Sequence, residues 1–285
     1  MTRPLRSAVL LFCYGHLQIA LAAAGLGWLS VRLSFGSEPR ENEFRVLSFL
    51  FFATFGVYTL HRYLSFRRAG VSPRARRYAL VRNRPRLSLG AGLGGVAAAV
   101  VLGLPYLRVM LVPLLLALPL TVFYLTPPRP GWRRLRDFPF VKVVWVALAW
   151  TLMTHELPVR VVAAAGGVPA PPPYPTEWVV RFCFILAIAV LFDFRDVALD
   201  RAQGVRTLAG RHPTLAYAVA GAALVLCATG CALGGGYARW EALVVAYGAV
   251  LPLVFLTHPG RREDWFAVAI NGALWLPPLA YAVVG

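Results

Sequence analysis

Apolar residues in this chain come in long unbroken runs, not in the alternating or 3.6-residue stripes of water-soluble elements. A helix needs roughly 20 mostly apolar residues to cross a bilayer. The pattern predicts nine such helices, over 8–33, 44–64, 87–105, 108–125, 141–157, 177–194, 213–233, 240–257 and 265–284. The pair 87–105 and 108–125, joined through Pro105, Tyr106 and Leu107, reads as a helical hairpin. The segment 141–157 is short and ends in His155 and Glu156. The first run is much longer than the roughly 7–15 apolar residues of a signal peptide and contains Tyr14, His16 and Gln18, so it reads as a retained helix. Pro169, Pro171, Pro172, Pro173 and Pro175 predict an extended connector after the fifth helix. With no internal repeat and no long linker, the fold class expected is an all-α integral membrane bundle of nine helices, forming one domain over residues 1–285.

Composition narrows the alternatives. Of the 285 residues 59% are apolar and 14% charged, against roughly 25% charged in soluble domains. That excludes a disordered chain and a soluble globular one, and four cysteines exclude a disulfide scaffold. The net charge is +17, and Lys142 is the sole lysine among 29 basic residues. In a soluble protein this balance would point to nucleic acid. Here the cations sort by loop. With the N-terminus inside, 22 fall in 1–7, 62–86, 126–142, 195–212 and 258–264, and 7 fall outside. The positive-inside rule then predicts a cytoplasmic N-terminus and an external C-terminus in a bacterial inner membrane, with no nucleic-acid partner.

Acids are scarce, yet three of the twelve are Asp193, Asp196 and Asp200, at the cytoplasmic end of the sixth helix. Spacings of three and four set them on one helical face. Three stacked carboxylates need cationic compensation, from Arg195, Arg201 and Arg206 nearby or from a divalent metal such as Mg²⁺, which favours carboxylate and phosphate oxygens.

The stretch from Asp193 to Leu208 resembles the second aspartate-rich motif of the UbiA superfamily of membrane prenyltransferases, DxxDxxxDxxxGxxTL, at every fixed position: Asp193, Asp196, Asp200, Gly204, Thr207 and Leu208. The resemblance implies a Mg²⁺-dependent transfer of an isoprenyl group from an isoprenyl diphosphate to an aromatic or lipid acceptor. Asp193, Asp196 and Asp200 would be the catalytic metal ligands. The first motif of that family, near NDxxDxxxD, is absent: Thr54 to Ser65 carries no acid, nor does any position from Phe44 to Leu118. Asn83-Arg84-Pro85 is similar to the basic segment that follows the first motif. Leu135 to Lys142, followed by Trp145 and Trp150, resembles a divergent UbiA-like branch that also lacks it.

Tyr58, His61, Arg62, Arg67, Arg84, Arg195 and Arg206 are the expected substrate-binding residues. Tyr58 and His61 belong to a polar stripe with Thr54 and Ser65 that faces either neighbouring helices or a head-group pocket. Arg62 stands where the family would place a metal-binding acid, so it needs either a carboxylate of the 193–200 set or the diphosphate as partner. The 62–86 arginines could also meet anionic lipid head groups. Cys227 and Cys231 read as packing residues, His155 as interfacial, and Asn271 as an interhelical hydrogen-bonding group. The competing reading of the whole chain is a non-catalytic isoprenoid-lipid-binding or scaffold protein that kept the fold and lost one metal site.

Overall fold

A computed structural model of the chain describes residues 11–36, 38–68, 76–125, 138, 141–168, 175–202, 204–205, 207–233 and 239–284, and all regular elements among them are helices. The first long ones are α1 (Leu17–Phe35) and α2 (Glu43–Arg68). A 3₁₀ turn at Arg76–Tyr78 leads into the short α3 (Ala79–Asn83), then α4 (Pro85–Gly103) and α5 (Leu107–Leu125). Next come α6 (Val141–Thr151), a π-turn at Leu152–Glu156, α7 (Leu157–Ala165) and the 28-residue α8 (Pro175–Ala202). The chain continues through α9 (Leu208–Arg211), α10 (Pro213–Leu233) and α11 (Trp240–Leu256). It closes with α12 (Glu263–Trp265), a second π-turn at Phe266–Ile270, α13 (Asn271–Ala273) and α14 (Leu276–Val283).

Each predicted membrane segment falls on helix, but the count of nine spans is not confirmed. Four helical stretches among the described residues are long and apolar enough to cross a membrane, or five if the bent pair Glu263–Ala273 and Leu276–Val283 is one span. One of the four is the whole of Pro85–Phe123. The expected hairpin at 87–105 and 108–125 is not a packed pair: α4 lies against α2, whereas α5 packs on α6 and α7. The remaining segments fall short for local reasons. The stretch 141–165 carries Lys142 and is interrupted by its π-turn, α11 has 17 residues, and α8 bears charges at both ends. The proline-rich residues 169–174 lie outside the described residues.

Two contacts set the architecture. The first is α8, whose positions from Val180 to Phe194 are buried on nearly every side, as expected of a central helix. It packs on α6 and α10, with Phe184, Leu191 and Phe194 fully enclosed and Phe194 stacked on Tyr217 at 4.5 Å. The second is the α2–α4 crossing. The buried positions of α4 are all small (Ser88, Gly92, Gly95, Ala99, Gly103), and among them Gly92 lies against Leu60, Gly95 against Gly56 and Gly103 against Phe49 of α2. A Cβ at Gly56 would stand 2.7 Å from the Val96 nitrogen and 2.9 Å from the Gly92 oxygen. Small residues at helical spacing let membrane helices touch backbone to backbone.

The outward faces are apolar. Val100, Val101, Leu104, Leu111, Leu115, Leu118, Val225, Leu226, Val245 and Phe255 are all exposed, an amount of outward apolar surface that is rare in water-soluble monomers. The molecule is an integral membrane protein, with lipid as the solvent of these side chains.

His155 is not interfacial. The π-turn aims it inward, where it is 4% exposed and 3.2 Å from the Ser30 hydroxyl. Cys227 is a packing residue as expected, its thiol donating to the Val180 carbonyl at 3.2 Å.

Candidate functional site

The end of α8 explains part of the Asp193–Leu208 pattern structurally. Gly204, with φ +69°, sits just past the helix in the left-handed region that glycine adopts without steric cost. The Val205 N–H returns to the Asp200 carbonyl at 2.8 Å. Thr207 is the N-cap of α9, its hydroxyl accepting from the Gly210 N–H at 3.2 Å. The glycine and threonine thus stop one helix and start the next, which fixes the frame carrying the three aspartates.

Those aspartates do not converge. Lys142, on α6 and 8% exposed, places its Nζ 2.7 Å from Asp193 Oδ1 and 3.3 Å from Asp200 Oδ2. Asp193 and Asp200 are 2% and 1% exposed, so this ammonium is their charge partner in a nearly dry environment. Asp196 turns to other cations. It receives Arg77 Nη1 at 2.7 Å and both Nε and Nη2 of Arg195, at 3.0 and 2.9 Å. Burial alone would raise its carboxyl, but Arg195 and Arg77 outweigh burial and hold it well below the usual carboxylate range. A depressed folded pKa contributes stability that is complete above the ordinary value of about 3.9 and is lost as pH falls through the folded value. Asp196→Asn is therefore expected to flatten the acid limb of thermal unfolding below about pH 4, while leaving the slope between pH 6 and 8 unchanged.

These residues, Asp200 apart, line a cavity of about 290 Å³ enclosed by α1, α2, α6, α8 and the last helices. Its charged wall holds Arg62, Arg77, Arg195, Lys142, Asp193 and Asp196. Arg62 and Arg77 both lie over the Tyr78 ring, at 5.4 and 5.5 Å, and Arg195 lies over Phe192 at 4.9 Å. Arg77 also reaches Glu263 at 3.4 Å. The same cavity is also lined by the aromatic and aliphatic side chains of Tyr58, Trp145, Val146, Ala149 and Trp150. Trp150 Nε1 donates to the Tyr58 hydroxyl at 3.1 Å and fixes that wall. The Asn271 Oδ1 and Trp145 Nε1 atoms are buried and accept or donate no hydrogen bond among the described residues. Asn271, expected to bond across helices, instead lines the cavity.

Of the sequence-predicted site residues, Tyr58, His61, Arg62, Asp193, Arg195 and Asp196 line this one cavity. Asp200 sits behind the wall with Lys142. Arg67 and Arg84 are exposed and do not line it, and Arg206 lies outside the described residues. Arg62 makes no ion pair with the 193–200 set; its contact is the Tyr78 face. Lys142, Arg77 and Tyr78 were not among the predicted site residues. A signal for Lys142 was available, because a lone lysine inside an apolar run is a functional marker in membranes.

The expected Mg²⁺ site does not fit these side chains. A Mg²⁺ ion takes several oxygens in near-octahedral geometry, but Asp193 and Asp200 are held by an ammonium and Asp196 by two guanidiniums. The facing helix offers Tyr58, His61 and Arg62 in place of acids. Among the described residues no group of three His, Cys, Asp or Glu side chains is placed to hold a metal.

No protein-family model matches the sequence, and no curated protein matches it. Solved structures do. A UbiA homolog from Archaeoglobus fulgidus, bound to GPP and Mg²⁺, superposes with a TM-score of 0.60 at 14% identity, over 95% of this chain and 99% of that one. Another structure of a UbiA homolog from that organism gives 0.61 at 12% identity, over 96% and 98%. A third, bound to DMAPP and Mg²⁺, gives 0.53 at 14% identity, over 97% and 95%. The chain has the fold of the UbiA superfamily along nearly its whole length.

Proposed function

We propose that the protein takes an isoprenyl diphosphate into this cavity and transfers its isoprenyl group to an aromatic or lipid acceptor, as one membrane domain. The observation that carries the reading is a single cavity lined by three guanidiniums and by a set of aromatic rings. Arginine forks suit phosphate oxygens, and a low-dielectric chamber suits a prenyl chain. The GPP and DMAPP of the A. fulgidus structures support the same ligand class. Their Mg²⁺ is not carried over to this chain, for the reasons of geometry given above.

In the reaction the C1–O bond of the substrate breaks and its electron pair leaves on the diphosphate. Arg62, Arg77 and Arg195 would stabilise that growing charge. The allylic cation would lie against the π faces of Tyr58, Trp145 and Trp150, which favour cations and exclude water. The acceptor's electrons form the new bond to C1, and its displaced proton leaves with diphosphate or solvent. Incubation of the purified protein with radiolabelled isoprenyl diphosphates of several lengths and a membrane lipid extract should release diphosphate and label a lipid. Tight binding with no release would instead favour a non-catalytic isoprenoid-binding protein, a reading that the Lys142-filled carboxylates also support.

The orientation proposed from the 22-to-7 split of basic residues places the N-terminus and the cavity's charged wall on the cytoplasmic side. A reporter active only in the cytoplasm, fused after Gly285, should be silent. Strong activity would require an even number of spans.

A further inference from the structure

We infer that Lys142 does for the carboxylates what a divalent cation would do, and that Arg62, Arg77 and Arg195 meet the head group directly, so that the cavity binds its diphosphate without metal. This rests on the proposed function for the identity of the ligand.

Three observations carry the inference. The first is the ammonium itself, which bridges Asp193 and Asp200 from the neighbouring helix and is buried with them. An ion entering between these two carboxylates would have to displace a covalently tethered cation already within ion-pairing distance of both. The second is the distribution of the other charges. Three guanidiniums, Arg62, Arg77 and Arg195, stand at the cavity wall around the one carboxylate of Asp196, with Glu263 at the edge of Arg77. Arg62 has no carboxylate partner among the described residues, only the face of Tyr78. The third is what replaces the acids of the facing helix. Tyr58, His61 and Arg62 hold donors and a fixed positive charge at the place where the resembled family would put metal ligands.

The arrangement is self-consistent. The single ammonium pairs with both acids, which then serve to position α6 against α8, and the planar arginine forks are left to bind phosphate oxygens two at a time. Phosphate recognition by arginine needs no ion to be recruited from solution.

The test uses the full-length protein in detergent. Binding of a non-hydrolysable isoprenyl thiolodiphosphate is measured by calorimetry, once with EDTA and once with millimolar Mg²⁺. Mn²⁺ binding is followed separately by electron paramagnetic resonance without ligand. The expected result is affinity equal within about twofold in the two buffers, and no tightly held Mn²⁺. Arg62→Gln should weaken binding by about tenfold or more in both buffers, as loss of a charged hydrogen bond does. Arg67→Gln and Arg84→Gln, at exposed positions off the cavity, should leave it unchanged. Lys142→Met should gain a Mn²⁺ signal that Asp193→Asn removes. If Lys142→Met does not fold, the parent's Mn²⁺ spectrum and the Arg62→Gln affinity decide the matter. Binding that requires Mg²⁺, or a parent protein that holds Mn²⁺ through Asp193, would overturn this inference and leave the proposed function standing. Absence of diphosphate binding in both buffers would overturn the two together.

Discussion

Lys142→Met is expected to lower the stability of the protein by about 3–5 kcal/mol, the usual result of removing one partner from a buried ion pair. The variant keeps the length and apolar stem of the side chain and removes the charge. Asp193 and Asp200, 2% and 1% exposed, then lose the ammonium that they share. Both are buried, and Arg77 and Arg195 bond Asp196. The loss should show in thermal or denaturant unfolding in detergent. Restoring neutrality should restore stability: the triple variant Lys142→Met, Asp193→Asn, Asp200→Asn should recover most of it, because a buried ion cluster replaced as a unit by neutral groups is often energetically neutral. Millimolar Mg²⁺ should also stabilise the single variant and have no effect on the triple. A single variant as stable as the parent would mean that the two carboxylates are already neutral and the ammonium is not their partner.

That contrast shows where the sequence stopped being informative. The three aspartates were legible because helical period alone puts Asp193, Asp196 and Asp200 near one face. Their partners were not, because the contact between Lys142 and Asp200 spans 58 positions and two helices and depends on how α6 docks on α8. Proximity in sequence pointed to Arg195, Arg201 and Arg206 as the compensating cations; Arg195 does pair with Asp196, Arg206 lies outside the described residues, and Lys142 and Arg77 come from elsewhere in the chain. Gly204 and Thr207 were legible as motif members, yet their work is to end α8 and cap α9. The polar stripe on α2, read as facing either neighbouring helices or a head-group pocket, does both: Tyr58, His61 and Ser65 line the cavity, and Tyr58 accepts from Trp150 of α6. His155 was read as interfacial because the segment 141–157 ends beside it, whereas the helical stretch continues through the π-turn at Leu152–Glu156 into α7 and keeps it inside. The hairpin failed for a similar reason. A short proline turn was read as reversing the chain into contact, while α4 finds its small-residue partner in α2.

The α2–α4 crossing carries the second large effect, since it holds the wall that bears Tyr58, His61 and Arg62. Gly56→Val should destabilise the protein by at least the roughly 1–3 kcal/mol of an overpacked core. At Gly56 the first atom of any side chain meets the Val96 nitrogen at 2.7 Å and the Gly92 oxygen at 2.9 Å. Backbone cannot rotate away as a side chain would, so α2 and α4 must separate along their length. Gly95, whose Cβ would lie 3.0 Å from the Gly56 Cα, loses its contact in the same movement. Because Tyr58, His61 and Arg62 follow within two turns of Gly56, the separation shifts the cavity wall as well. Ligand affinity should therefore fall together with unfolding midpoint. Gly94→Ala, on the same segment of α4 but with nothing within 4 Å of its added Cβ, provides the control. It should be neutral or stabilise the helix by up to about 1 kcal/mol through propensity alone. A Gly56→Val protein that unfolds at the parent's midpoint and binds with the parent's affinity would mean that the two helices do not meet backbone to backbone. Arg62 would then not be held at the cavity by this crossing.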